Sequence, residues 1–347
     1  MRANIIKTYG PWRAVMLPQE IGCPSLTDNE VLIEVHAVTA NRTRDTLIAE
    51  GKPHHPEALP LITGQDPAGI VVEVGTNVDR FKKGDRVVVS GRMACGQCDL
   101  CAAKRAGDCP NAKSIGINRW GGYAEFCAAP EETLFLIPDN ISFYEAAVIM
   151  RHCPTALQLL DDKAELKPNE WVLIMGAGGG LGGPGIQLAK LMGANVIAAA
   201  GADERVELGL KLGADFGINY RTHDLNEEVK RITENRGVDV VYENISDPTT
   251  WPKAIASLAY AGRLVTAGAH GGPEVTLNAR NLYLNRWQIK GAAGGSPHNV
   301  KRALEYARTG KITCAIDRVM PLEALHEAYD MIENGDVQGK IIIDPSA

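Results

Sequence analysis

The sequence has no excess of basic residues: 36 Lys and Arg stand against 42 Asp and Glu, a formal net charge of -6. That balance offers no broad positive field for a phosphate backbone, so nucleic acid is not an expected partner and a small-molecule substrate is. The chain also lacks any run near the ~18 apolar residues that a membrane span requires. Its start, MRANIIKTYGPWRAVML, has neither the basic n-region nor the continuous apolar core of a secretory signal. A cytoplasmic protein with no membrane partner is expected. Internal repeats, low-complexity tracts and long linkers are missing too. What remains is a chain of 347 residues, 45% hydrophobic and 22% charged, which can bury the cores of two domains and is neither disordered nor collagenous.

Within the first 148 residues, short β-branched runs such as Val31–Val38, Ala68–Gly75 and Asp85–Ser90 alternate with turn residues. This predicts a β-rich, partly barrel-like antiparallel domain. Near Pro138-Asp139 the texture changes: Ser142 can cap a helix through FYEAAVIM, and a second helical stretch runs from Thr155 to about Leu166. Strands and helices then alternate. WVLIMG, IQLAKLMG and NVIAAA form a βαβ unit, and the alternation continues through VDVVYEN and GRLVTAG. The fold class expected is α/β, with a doubly wound parallel sheet over 149–290 and the β-rich domain over 1–148 and 291–347.

Between the first strand and the first helix of that unit stands GAGGGLGG, Gly176 to Gly183. Glycines here let backbone approach a pyrophosphate and aim helix N-terminal amides at it, so Gly176, Gly179, Gly180, Leu181 and Gly182 are the candidate dinucleotide cradle. An ordinary glycine-rich turn is the bland alternative, and the spacing of strand, loop, helix and second strand weighs against it. At the end of the second strand, where an NAD site places a carboxylate for the ribose 2′-hydroxyl, the residue is Ala200. Asp203 and Glu204 come later and suit the next helix. Arg205 and Tyr220 can meet a 2′-phosphate by charge and hydrogen bonding, so NADP(H) is expected over NAD(H). For Arg205, a solvated helix residue is the alternative.

Four of the eight cysteines crowd into CGQCDLCAAKRAGDC. Cys95, Cys98, Cys101 and Cys109 can surround one tetrahedral Zn²⁺ with four thiolates, a closed shell that braces a loop and performs no chemistry. An iron–sulfur cluster and an unmetallated loop are the competing readings. Cys23, Cys127, Cys153 and Cys314 are read as small packing residues.

The Gly-rich fingerprint, the four-cysteine lobe, TGQDPAGIVVEVGTNVDRFKKGDRV and WGGYAEF together resemble the medium-chain dehydrogenase/reductase superfamily, over nearly the whole chain. The resemblance implies a GroES-like catalytic domain with a zinc lobe at about 91–115, a Rossmann domain, an active site in the cleft between them, and a homodimer or possibly a tetramer. Zinc alcohol dehydrogenases of the superfamily hold a catalytic zinc with a Cys, a His-Glu pair and a second Cys or His. The matching positions here read Asn41, Gln65-Asp66 and Arg151, none of them a usual zinc ligand. A one-residue slip would bring His152 or Cys153 to the last position, and His54 or His55 could substitute from a loop.

Without a Lewis acid, alcohol oxidation needs a replacement acid or base, whereas reduction of an activated C=C bond needs a metal less. The phrases INYRTHD, GRLVTAGAHGGPEVTLN and GKIIID resemble the zinc-free quinone oxidoreductase and enoyl reductase branch. An NADPH-dependent reductase of an enone, enoyl thioester or quinone is therefore the expected activity. An alcohol or aldehyde dehydrogenase or ketoreductase is the alternative, and a non-catalytic cofactor-binding regulatory protein the second. On the resemblance, Asn41 and Thr155 lie at the nicotinamide end, with Asn244, Gly268 and Ala269 along the cofactor. Arg151 is expected either to polarise the substrate carbonyl, to bind an acidic substrate group, or to sit in an ion pair with Asp45 or Asp66. Asp45, His54, His55 and solvent are the candidate proton donors.

Overall fold

A computed structural model of the chain describes residues 1–52, 59–103 and 109–347. They divide into two compact units, Met1–Arg151 with Cys314–Ala347, and His152–Thr313. The first crossing lies close to the expected residue 148. The return comes at Cys314 and not at 291, because the helix Pro297–Arg308 is tied into the second unit: Asn299 Nδ2 donates to Asp162 (2.9 Å) and Arg302 Nη1 to Asp161 (2.5 Å). Among the described residues no helix is long and apolar enough to cross a membrane.

In the first unit the long strand Glu30–Thr39 is the spine. Along its first half it pairs antiparallel with Ala68–Val74 on one side and Phe126–Pro130 on the other, and at Val38 and Thr39 it meets the terminal strand Lys340–Asp344. The sheet runs on through Arg86–Val89 to Leu134–Leu136 at one edge and to Ile316–Pro321 at the other. Val31, Ile33, Val35, Val71, Val87 and Leu134 fill one core, each buried side chain contributing about 1.5–3 kcal/mol of apolar transfer. A second core joins Ile5, Ile48, Leu61, Tyr123, Leu325 and Tyr329. The helix Leu325–Asn334 supplies the last two, burying residues 325, 328 and 329 at i, i+3 and i+4 spacing, and ends where Gly335 takes φ 81°.

The second unit is a six-stranded parallel sheet in the order Phe216–Asn219, Asn195–Ala200, Trp171–Met175, Val238–Glu243, Leu258–Thr266, Gln288–Gly291. The continuous apolar runs read from the sequence are buried on both faces, as the inner strands of such a sheet must be. The strand order reverses between Trp171–Met175 and Val238–Glu243, which makes the carboxyl ends of those two strands the place for a ligand. Ser142 and Glu145 form the expected cap: Glu145 N donates to Ser142 Oγ (3.2 Å) and Ser142 N to Glu145 Oε2 (2.9 Å). The helix they start runs unbroken over Phe143–Leu157, Pro154 included, and continues as a π-helical turn over Gln158–Lys163. The separate helix expected from Thr155 is therefore part of the first.

Candidate functional site

The second unit presents the glycine-rich turn at the reversal point. Gly176 leaves the strand with φ 71°, a conformation L side chains rarely adopt, and the helix Gly182–Leu191 follows after Leu181 as its N-cap. A Cβ on Gly182 would lie 2.1 Å from Gly176 O, one on Gly180 2.7 Å from His152 Nε2, and one on Gly178 2.9 Å from Arg205 Cβ. The turn is folded tightly enough that only glycine fits, and the first amides of the helix have no intrahelical acceptor. Gly179 closes the turn by donating to Gly176 O at 2.9 Å.

Asn244, at the end of the adjacent strand, faces Gly176 with Oδ1 and donates through Nδ2 to Met175 O at 2.6 Å. Behind it, the buried carboxylate of Glu243 accepts from Ile245 N and Ser246 N, each at 3.0 Å, and holds Ser246 at φ 55°. Ser246 Oγ then donates to Gly268 O at 2.8 Å. Gly268 packs so closely that a Cβ would stand 2.2 Å from Asn244 O, with the exposed Ala269 following. Thr155 is half-buried on its helix and is not among the residues this network joins.

Ala200 is the buried last residue of its strand. Beyond it, a Cβ on Gly201 would lie 3.1 Å from Tyr220 Oη and 3.2 Å from Arg221 Nε. Burial raises the Tyr220 phenol, and Arg221 and then Arg205 hold it down, so both guanidinium charges are felt there. Arg221 was not singled out in the sequence; its neighbour Tyr220 in INYRTHD was the only pointer. Asp203 accepts from Asn219 Nδ2 at 2.7 Å, which turns it to the start of its own helix.

In the first unit, the positions matched to catalytic zinc ligands form one polar cluster. Arg151 Nη1 donates to Gln65 Oε1 at 2.8 Å. Asp66 accepts from the Thr39 backbone N–H at 3.1 Å and from the Thr39 hydroxyl. Thr39 also receives both hydrogens of the Asn41 amide, at Oγ1 (2.7 Å) and O (3.1 Å), while Asn41 Oδ1 accepts from Lys340 Nζ at 3.0 Å. Asn41 thus spends its amide inside the protein.

Asp45, read from the sequence as a proton donor or a partner of Arg151, lies buried against two tyrosines and is not bonded to Arg151. It is 1% exposed, and its Oδ2 accepts from Tyr123 (2.7 Å) and Tyr329 (2.8 Å). Arg151 bonds Gln65 and forms no ion pair with Asp45 or Asp66 among the described residues. Burial raises the Asp45 carboxyl to about 6 against the pull of the two tyrosines and Arg151. Tyr123, Tyr329 and Lys340 were missed as cluster members, although WGGYAEF and GKIIID had been noted as motifs. His54 and His55 lie outside the described residues.

The four-cysteine lobe sits on a two-stranded ribbon, Arg92–Met93 with Lys113–Ser114, and the short helix Asp99–Ala102. The four Sγ atoms lie within 4.8 Å of one another, with Cys95–Cys109 and Cys98–Cys101 at 3.5 Å and Cys98–Cys109 at 3.8 Å.

Comparison with known proteins supplies the family. Residues 27–139 match the alcohol dehydrogenase GroES-like domain, and residues 180–309 the zinc-binding dehydrogenase domain. An NAD-dependent alcohol dehydrogenase of Sulfolobus acidocaldarius is 35% identical, with 99% of each chain covered. The chain is a medium-chain dehydrogenase/reductase. A quinone oxidoreductase of Sus scrofa is 30% identical over 98% of this chain and 96% of its own. A solved NAD-dependent alcohol dehydrogenase superposes with a TM-score of 0.93 at 34% identity, covering 99% of both chains.

Membership of this superfamily makes the protein an oxidoreductase, with a GroES-like unit and a Rossmann sheet as expected. The thiol lobe of this medium-chain dehydrogenase/reductase fits a structural zinc, since a tetrahedral shell with ~2.3 Å Zn–S bonds has edges of ~3.8 Å. Four thiols at that spacing resist losing their protons together: desolvation and the neighbouring sulfurs raise Cys101, while the Gln97 amide lowers Cys95. A dication relieves that repulsion. Of the other cysteines, Cys127 and Cys153 are buried as expected, whereas Cys23 is exposed and does not pack.

Proposed function

We propose that this medium-chain dehydrogenase/reductase uses NADPH to reduce an activated C=C bond or a quinone, with protein groups where relatives carry a catalytic zinc. The observation that carries the reading is the pairing of Arg151 with Gln65, a fixed cation and a neutral amide at two of those positions. When bound, the dinucleotide supplies the hydride. The glycine-rich turn and the Asn244–Ser246 segment hold it, and Tyr220, Arg205 and Arg221 take the 2′-phosphate that no carboxylate at Ala200 opposes.

Arg151 keeps four further N–H donors after bonding Gln65, and these stabilise the carbonyl oxygen as it gains negative charge during addition to the conjugated carbon. Thr39, Asn41, Asp66 and Lys340 act as the frame. Their bonds fix the chain between the Glu30–Thr39 strand and the helix Arg42–Ala49. The proton for the α-carbon comes from solvent.

Alcohol oxidation is the second reading, supported by the names of the alcohol dehydrogenase relatives. Following NADPH oxidation against enones, quinones and aldehydes, and NADP⁺ reduction against alcohols, separates them. Turnover confined to alcohols and aldehydes contradicts the proposal. We propose a homodimer through the second unit, whose exposed Leu277, Tyr283, Leu284 and Ile289 flank the open edge strand Gln288–Gly291; sedimentation of a Tyr283→Asp, Leu284→Asp variant as a monomer is the expected result.

A further inference from the structure

Beside Arg151 the first unit gathers hydrogen-bond donors, two of them without an acceptor among the described residues. An arginine can only donate, so the Arg151 bond fixes the Gln65 amide with Oε1 toward the guanidinium and Nε2 turned away. That Nε2 is buried and has no hydrogen-bond partner among the described residues, which leaves a donor to be satisfied.

Arg92 stands on the same wall. It follows Gly91, which approaches Gln65 so closely that a Cβ would lie 2.8 Å from the Gln65 carbonyl oxygen. One Arg92 nitrogen bonds Cys109 O at 2.8 Å, and the residue is exposed. Arg44 completes the group from the first turn of the helix Arg42–Ala49. Its helix neighbour Arg42 is paired with Glu333 at 2.5 Å, but the Arg44 side chain has neither ion pair nor hydrogen bond among the described residues. Partial desolvation first, then the charge of Arg151, with Arg92 adding and Asp45 opposing, hold the Arg44 guanidinium below its usual pKa.

The carboxylates near at hand do not neutralise this cluster by contact. Both oxygens of Asp66 accept from Thr39, and Asp45 Oδ2 accepts from the two tyrosines. Arg151 and Arg92 each spend one N–H on a neutral oxygen, Gln65 Oε1 and Cys109 O, while Arg44 and the Gln65 amide Nε2 have no acceptor among the described residues, so the positive charge gathered here meets no carboxylate contact among them. Such crowding is costly and is relieved by an anion, which guanidinium forks recognise in planar, two-point fashion.

We infer that Arg44, Arg92 and Gln65 Nε2, flanking Arg151, form a subsite for an anionic group, a carboxylate or a phosphate, carried by the substrate away from its reacting bond. The inference rests on the reductase reading above and names the class of acceptor it takes.

The test compares paired acceptors that share the reacting group and of which only one member carries the anion. The carboxylate arm sets (E)-4-oxopent-2-enoate against its methyl ester; the phosphate arm sets a crotonyl thioester of coenzyme A against the same acyl group on pantetheine. The anionic member of at least one pair is expected to have the higher kcat/KM, by about 10–100-fold for charge-assisted hydrogen bonds. Arg44→Met should cut that ratio by about tenfold and Arg44→Glu should reverse it, with retained dinucleotide binding showing that each variant is folded. Calorimetric titration of the full-length protein with (E)-4-oxopent-2-enoate and with inorganic phosphate gives a readout free of turnover, and Arg44→Met should weaken the anion that binds by about tenfold. Equal kcat/KM within both pairs, together with no anion binding, overturns the subsite while turnover of the neutral acceptors leaves the reductase reading standing. If no acceptor is reduced, that reading falls and the calorimetric comparison alone decides the subsite.

Discussion

Asp45 offers a quantitative test of how the first unit is built. The structure buries its carboxyl beneath Tyr123 and Tyr329, and desolvation lifts its pKa from 3.8 to about 6. A carboxyl whose native pKa is raised binds its proton more tightly folded than unfolded, so its contribution to stability is fully present below pH 3.8 and is lost as the pH rises through 6. A shift of about two pH units, at 1.36 kcal/mol each, makes the loss about 3 kcal/mol. Asp45→Asn keeps an oxygen for the tyrosine hydroxyls and cannot ionise, so the variant lacks this slope. Urea unfolding of both proteins from pH 3.5 to pH 7.5 measures it. The stability of wild type minus that of the variant should fall by about 3 kcal/mol, mostly between pH 4 and pH 6. A difference that stays constant over that range would refute the claim that the buried carboxyl is held against its own desolvation.

Three further outcomes follow from the geometry. Gly182→Ala places a methyl 2.1 Å from Gly176 O and should abolish NADPH binding, read by quenching of protein fluorescence, while zinc content is unchanged because the cysteine lobe lies in the other unit. Arg221→Ala should raise the KM for NADPH by about 10–100-fold and leave that for NADH within about twofold, since only the former carries the 2′-phosphate. Ser142→Ala removes one half of the capping box and should lower stability by about 1 kcal/mol in the same urea assay.

Local signals carried much of the architecture. The β-branched runs, the apolar strands buried on both faces, the Gly176–Gly183 turn and the four cysteines each depend on neighbours within a few residues, and each stands where its pattern implied. The polar cluster was less legible because it is assembled from distant segments. Tyr123 and Tyr329 converge on Asp45 from 78 and 284 positions away, and Lys340 reaches Asn41 across 299. No periodicity reports such pairings. The same limit explains why Arg151 was offered Asp45 and Asp66 as partners: both carry the opposite charge, but Thr39 takes both oxygens of Asp66, the tyrosines take Oδ2 of Asp45, and Arg151 bonds Gln65. Arg221 escaped notice because its neighbour Tyr220 drew the reading of that loop. The boundary near 291 failed for a different reason, since the helix Pro297–Arg308 is held by Asp161 and Asp162, far upstream, and its own amphipathicity says nothing about which core it joins.

The central claim is hydride transfer at a site where Arg151 and Gln65 stand in place of a metal. Its most direct test is the zinc content of enzyme that is turning over an enone or quinone, measured by elemental analysis on wild type and on a Cys98→Ser, Cys101→Ser variant. The account predicts one zinc per chain in the wild type, falling toward none in the variant. Two firmly held zinc ions per chain, one of them surviving loss of the cysteine lobe and required for turnover, would contradict it.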